Sequence, residues 1–150
     1  MKYTTRNEFK TFEFNEVHIN DVILQNDVFK VGLDDVIILP ENSHNRDIRK
    51  MRTNSFVLTI EGAIVLSFIE EGYKIYDADG NLMKTEEDIL IDEQDYASVM
   101  ENFIDANAYL IDKNNDEYSF VIDGTNERTY NLIIQGNSDV QEWDRFMNIE

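Results

Sequence analysis

The sequence predicts an α+β fold: a mainly antiparallel, curved sheet of successive hairpins, with two packed helices over about 93–105 and 139–147. Three features lead there. Short stretches of alternating apolar side chains recur along the chain with Asp, Asn and Gly between them. Only two stretches switch to helical spacing. A hydrophobic share of 42%, with nine Phe, seven Tyr and one Trp in 150 residues, suffices for one core, so a single domain over 1–150 is expected.

In chain order, Phe12/Phe14, Val17/Ile19, Val22–Leu24, Val28–Val31 and Val36–Leu39 suggest short strands. The polar stretch from Pro40 to Asn54 reads as a loop or short helix between two apolar halves. Phe56, Leu58 and Ile60 alternate, and Glu61-Gly62 offers a turn into Ala63–Ile69. Tyr73–Tyr76 and the segment from Asn81 flank Asp77-Ala78-Asp79-Gly80, whose Asp-Gly is a hairpin cue. Asp92 is the expected N-cap of the first helix. Tyr96, Val99, Met100, Phe103 and Ile104 follow on one helical face, with Glu93, Asp95, Glu101, Asn102 and Asp105 opposite. Ala108–Ile111 and Tyr118–Ile122 flank Asp112–Glu117, and Tyr130, Leu132 and Ile134 share a face after Asp123-Gly124. Ser138 and Gln141 form the capping box of the second helix, with Val140, Trp143, Phe146 and Met147 as its apolar stripe.

An alternating strand (Tyr118, Phe120, Ile122), then Thr129-Tyr130-Asn131-Leu132, then a capped helix bearing Trp143 resembles the end of pleckstrin-homology-like domains over about 30 residues. The resemblance implies a curved sheet closed by a helix. The basic loop by which lipid-binding members hold phosphoinositides has no counterpart here.

Charge is the least generic feature. There are 31 acidic and 13 basic residues, a net charge of −18. Residues 1–75 hold 9 basic and 12 acidic side chains; residues 76–150 hold 4 and 19. Such a surface opposes direct binding to nucleic-acid phosphates or an anionic membrane. It also exceeds the roughly 2–8 charges that keep a small domain soluble. Glu86, Glu87, Asp88, Glu93, Glu101, Asp105, Asp112, Asp116 and Glu117 are therefore expected to form one negative face for a basic protein partner, such as a toxin or nucleic-acid-binding effector. Acidity and size are those of immunity-type inhibitors and of phage proteins that mimic nucleic acid. The alternatives are an assembly module pairing through a sheet edge or apolar patch, and a curved sheet binding a small ligand.

Enzymatic chemistry finds little to stand on. Without Cys there is no thiolate nucleophile and no Cys-based zinc site. His18, between Val17 and Ile19, and His44, in the polar loop, are 26 residues apart and read as solvated side chains. The six glycines make no phosphate loop, and no Gly-x-Ser-x-Gly elbow exists. Asp77-x-Asp79-x-Asn81 and Asp112-x-Asn114-x-Asp116 lack the Gly and terminal Glu of a calcium loop and read as turns. No enzyme, metal or cofactor is expected. Arg46, Arg49, Lys50 and Arg52 read as loop charges offset by acids such as Glu41 and Asp47, and Trp143 as core. The first eight residues lack an apolar signal region and no run of 18 apolar residues occurs, so a cytoplasmic protein is expected.

Overall fold

The structure, a computed structural model, describes residues 2–149. Sixteen strands follow one another: β1 (Tyr3–Arg6), β2 (Phe12–Glu13), β3 (Val17–Gln25), β4 (Val28–Asp34), β5 (Ile37–Ile38), β6 (Met51–Thr53), β7 (Phe56–Glu61), β8 (Ile64–Glu70), β9 (Tyr73–Tyr76), β10 (Leu82–Glu86), β11 (Ile89–Leu90), β12 (Asn107–Asn114), β13 (Glu117–Asp123), β14 (Thr129–Gln135), β15 (Ser138–Trp143) and β16 (Phe146–Met147). Between β11 and β12 lies one α-helix, α1 (Tyr96–Met100), flanked by 3-10 turns at Glu93–Asp95 and Glu101–Phe103. The protein is thus mainly antiparallel β. No helix among the described residues is long and apolar enough to cross a membrane.

Ten strands form one sheet in the order β1-β15-β7-β4-β3-β12-β13-β14-β8-β11, all pairs antiparallel. The ladder between the two five-strand halves is short: Val17 and His18 pair with Ala108 and Asn107. The chain passes between the halves twice, from β7 to β8 at Gly62 and from β14 to β15 at Gly136. Both corners require glycine. Gly62 has φ +65°, and a Cβ on Gly136 would lie 2.3 Å from Ile60 Cγ2. The inner faces meet in one core, with Phe29 of β4 edge-on to Phe120 of β13 at 5.3 Å. Strands β16-β6-β5-β2 form a second, small sheet beside it. With the turn at Phe9–Thr11 it brings Phe9, Phe12 and Phe14 against Phe56, Tyr118 and Trp143.

Period-two burial explains the strands that the sequence predicts. Tyr118, Phe120 and Ile122, and Tyr130, Leu132 and Ile134, point inward and are buried. Each such side chain contributes roughly 1.5–3 kcal/mol relative to exposure.

The expected helices need correction. Over 93–105 the helix exists as a broken one of three short pieces, and Asp92 makes no side-chain capping bond. Its inward stripe is Tyr96, Val99, Met100 and Phe103, while Ile104 is exposed. The helix expected over 139–147 is two strands, β15 and β16. Residues 138–142 of β15 pair with β7, and Thr4–Arg6 of β1 cover its other side. Ser138 and Gln141 form no capping box: Ser138 donates to Glu61 at 2.5 Å and Gln141 accepts from Thr5 at 2.7 Å. The resemblance to a pleckstrin-homology-like end fails here, because Trp143 sits on a strand. Fully buried, Trp143 is core as expected. The polar stretch from 40 is a loop, with β6 at its end.

Candidate functional site

The inward positions of β15 are Asp139, Gln141 and Trp143, so two polar side chains lie fully buried. Asp139 is bonded on both oxygens. Oδ2 accepts from Tyr118 at 2.5 Å and from Lys113 Nζ at 2.9 Å, and the Gln141 amide donates to Oδ1. Its backbone exchanges bonds with Asn7, whose N–H reaches Asp139 O at 2.8 Å, and Glu8 N–H reaches Gln141 at 3.3 Å. Burial and this carboxylate hold the Tyr118 hydroxyl well above its ordinary range. The Asp139 carboxylate is thus satisfied on both oxygens, and the cluster clamps residues 5–8 to the sheet.

His18 stands between two carboxylates, with Nδ1 2.7 Å from Asp34 Oδ2 and Nε2 3.4 Å from Asp105 Oδ1. His44 Nε2 lies 2.9 Å from the Thr4 carbonyl. Neither ring touches a hydroxyl nucleophile among the described residues. Three of the four basic-loop charges are met by acids: Arg49 by Asp47, Lys50 by Glu13 and Arg52 by Asp35. Asp77 is engaged by its own turn, accepting from the N–H groups of Asp79 and Asn81 at 2.9 Å each; these bonds hold its carboxyl below the usual range. Gly80 supplies the positive φ, +86°, that this turn needs.

An open groove of about 710 Å³ lies between the far part of β3, the start of β8 and α1. Val22, Leu24, Ile64, Val65, Tyr96 and Met100 give it apolar walls. Asp27, Glu93 and Glu101 are its charged residues, and no Lys, Arg, His or Ser lines it. Burial, then Glu93 and Asp92, raise the Tyr96 hydroxyl above its ordinary range, as a phenol on an acidic rim requires. The wall made by β3 is a free sheet edge. After Ile19, which exchanges backbone bonds with Asp105 and Ala106, β3 has β4 on one side and, among the described residues, no strand on the other.

All nine predicted partner acids are exposed, but they occupy three places. Glu93 and Glu101 line the groove, with Asp105 nearby against His18. Glu86 ends β10 and Glu87 and Asp88 follow it; Glu86 pairs with Lys84 and Asp88 accepts from the Gly72 N–H at 2.7 Å. These lie past the Glu70 end of β8, about 20 Å of strand from its groove end. Asp112, Asp116 and Glu117 surround the β12–β13 turn. Asp112 is held low by its backbone bond and by Lys10, and Asp116 accepts from Gln135. Of the nine, Glu93 and Glu101 are the two that line the groove. Asp27 completes their rim and was missed, because it sits 66 residues upstream of Glu93 in a hairpin turn.

Every strand residue of the β9–β10 hairpin is exposed, including Tyr73, Ile75, Tyr76, Leu82 and Met83. No family model, curated protein or solved structure matches the chain.

Proposed function

We propose that this is a non-enzymatic acidic binding protein that engages a basic protein partner through the groove of β3, β8 and α1. One observation carries the reading: among the described residues, three carboxylates and no cation line a concavity of mixed apolar and polar walls. Such a site favours a segment carrying both apolar and Lys or Arg side chains. The apolar walls supply contact area, while the net −18 charge accelerates encounter with a basic molecule. If the partner is a toxin or effector that handles nucleic acid, binding occludes its basic surface. Carbodiimide cross-linking to a captured partner tests the reading. Links from partner lysines to Glu93 and Glu101, lost at 0.5 M salt, are expected; links confined to Asp112–Glu117 would refute it.

A second reading, an assembly module, is favoured by the hairpin. Five large apolar residues are exposed over the two faces of a two-stranded ribbon that has no other strand beside it among the described residues, as interaction surfaces require. Light scattering over a concentration series tests it: self-association abolished by removing residues 73–86 supports the module, and a monomer throughout excludes it.

A further inference from the structure

We infer that the partner binds as an extended strand added to the free edge of β3, pairing with Val22 and Leu24. This rests on the acid-rimmed groove being the partner site, and it adds how the guest is held.

The backbone phase of β3 decides which groups the edge offers. Asn26 and Asp27, both at positive φ (+52° and +63°), form the two-residue turn between β3 and β4. The pair that closes such a turn, Gln25 and Val28, exchanges both ladder bonds. Alternation then makes Ile23–Lys30 a bonded pair as well. It turns the N–H and C=O groups of Val22 and Leu24 away from β4, into the groove. An independent contact agrees: the Val22 N–H is 2.9 Å from the Asp21 carboxylate, which it could not reach were it bonded to β4. Nearer the start of β3, Ile19 faces the same side and is occupied, accepting from Asp105 N–H and donating to Ala106 O at 2.8 Å each. The register shift between Ile19 and Asp21 accounts for the change of phase from residue 19 to residue 22. The track beside β3 is therefore filled by residues 105–108 as far as Ile19; from Val22 to Gln25 no backbone occupies it among the described residues, and the Val22 N–H, held by the Asp21 carboxylate, exchanges that bond for one to the guest.

Exposed edges of this kind are ordinarily blunted by lysine, proline or an inward charge. This one has neither lysine nor proline: beside the Asp21 carboxylate, which caps the Val22 N–H, it carries Val22, Ile23 and Leu24, and Ile23 is 45% exposed. An occupant needs four or five extended residues, about 15 Å. Its chemistry follows from the rim: apolar side chains on the face toward Tyr96 and Met100, Lys or Arg where Asp27, Glu93 and Glu101 stand.

The probe is a heptapeptide alternating lysine and valine, with one analogue N-methylated at every valine and another at every lysine. Affinities are read by fluorescence anisotropy against the wild type, a Glu93→Lys/Glu101→Lys variant and an Asp116→Lys/Glu117→Lys control. Strand addition predicts that one methylated analogue, the one whose bonding edge is blocked, loses at least tenfold in affinity. It also predicts that the unmodified peptide slows hydrogen exchange at Leu24. A third variant, Leu24→Pro, removes an outward N–H without touching the β4 ladder and should weaken binding well beyond Leu24→Ala. If both methylated analogues bind as the parent does, strand addition is overturned while the groove stands. If the peptide fails to bind, or the groove and control reversals weaken it equally, the groove reading falls and strand addition with it.

Discussion

Replacing Asp139 with asparagine should be among the most damaging single changes at any polar residue of this protein. The carboxylate is fully buried and takes Tyr118, Lys113 and the Gln141 amide. An asparagine keeps the volume but turns one acceptor into a donor, facing either Tyr118 and Lys113 or the Gln141 amide. Removing one member of a buried ion pair typically costs about 3–5 kcal/mol. The Lys113 side chain keeps 22% exposure, so water partly replaces its partner and the low end applies, about 3 kcal/mol. For a chain of this length each kcal/mol moves the melting temperature by about 2–4 °C, so a fall of roughly 6–12 °C is expected by calorimetry or circular dichroism. The same clamp fixes Asn7 and Glu8 through β15, so their amides should exchange faster in the variant. A fall below 2 °C with unchanged exchange would show that the cluster does not anchor the N-terminal segment.

Alkaline conditions should report on the same cluster. Burial and Asp139 hold the Tyr118 pKa above its unfolded value of about 10, so its contribution is present below pH 10 and lost as pH rises beyond it. Melting temperature should therefore fall above pH 10, and less steeply in Tyr118→Phe; Tyr130, whose pKa burial also raises, keeps part of the slope. Gly136→Ala forces a Cβ to 2.3 Å from Ile60 and 3.1 Å from Tyr118, so a loss of about 1–3 kcal/mol is expected in denaturant titration, and an unchanged midpoint would mean that the corner adapts freely. Millimolar calcium should leave the melting temperature unchanged, because Asp77 is already bonded to its own turn; a rise of several degrees would contradict this.

What was legible in the sequence tracks the chemistry of the inward positions. Where they are apolar, as at Tyr118, Phe120 and Ile122 or Phe56, Leu58 and Ile60, alternation marks the strand directly. In β15 they are Asp139, Gln141 and Trp143, while the half-buried Val140 points outward. The visible apolar residues, Val140, Trp143, Phe146 and Met147, then fall at helical intervals by coincidence, and Ser138 with Gln141 imitates a cap. Only the partners Tyr118, Lys113 and Thr5, distant in sequence, make polar residues tolerable there. The groove was half legible. Glu93 and Glu101 opposite an apolar stripe are a local signal on α1. The opposite wall comes from Val22, Leu24 and Ile64, which read as core-facing strand residues until topology leaves the β3 edge without a neighbour. The acids at 86–88 and 112–117 share composition with that site but not position, because charge counts along a chain carry no information about where a sheet places them.

Amide chemical-shift mapping of the labelled protein with the lysine–valine peptide, at low and physiological salt, shows whether the groove takes a basic partner. Shifts concentrated in residues 21–27, 63–66 and 93–104 are expected, with an affinity that weakens as salt approaches ~0.15 M, where the Debye length is ~8 Å. Shifts centred on 112–117 or on the 73–86 hairpin, or binding indifferent to salt, would contradict it.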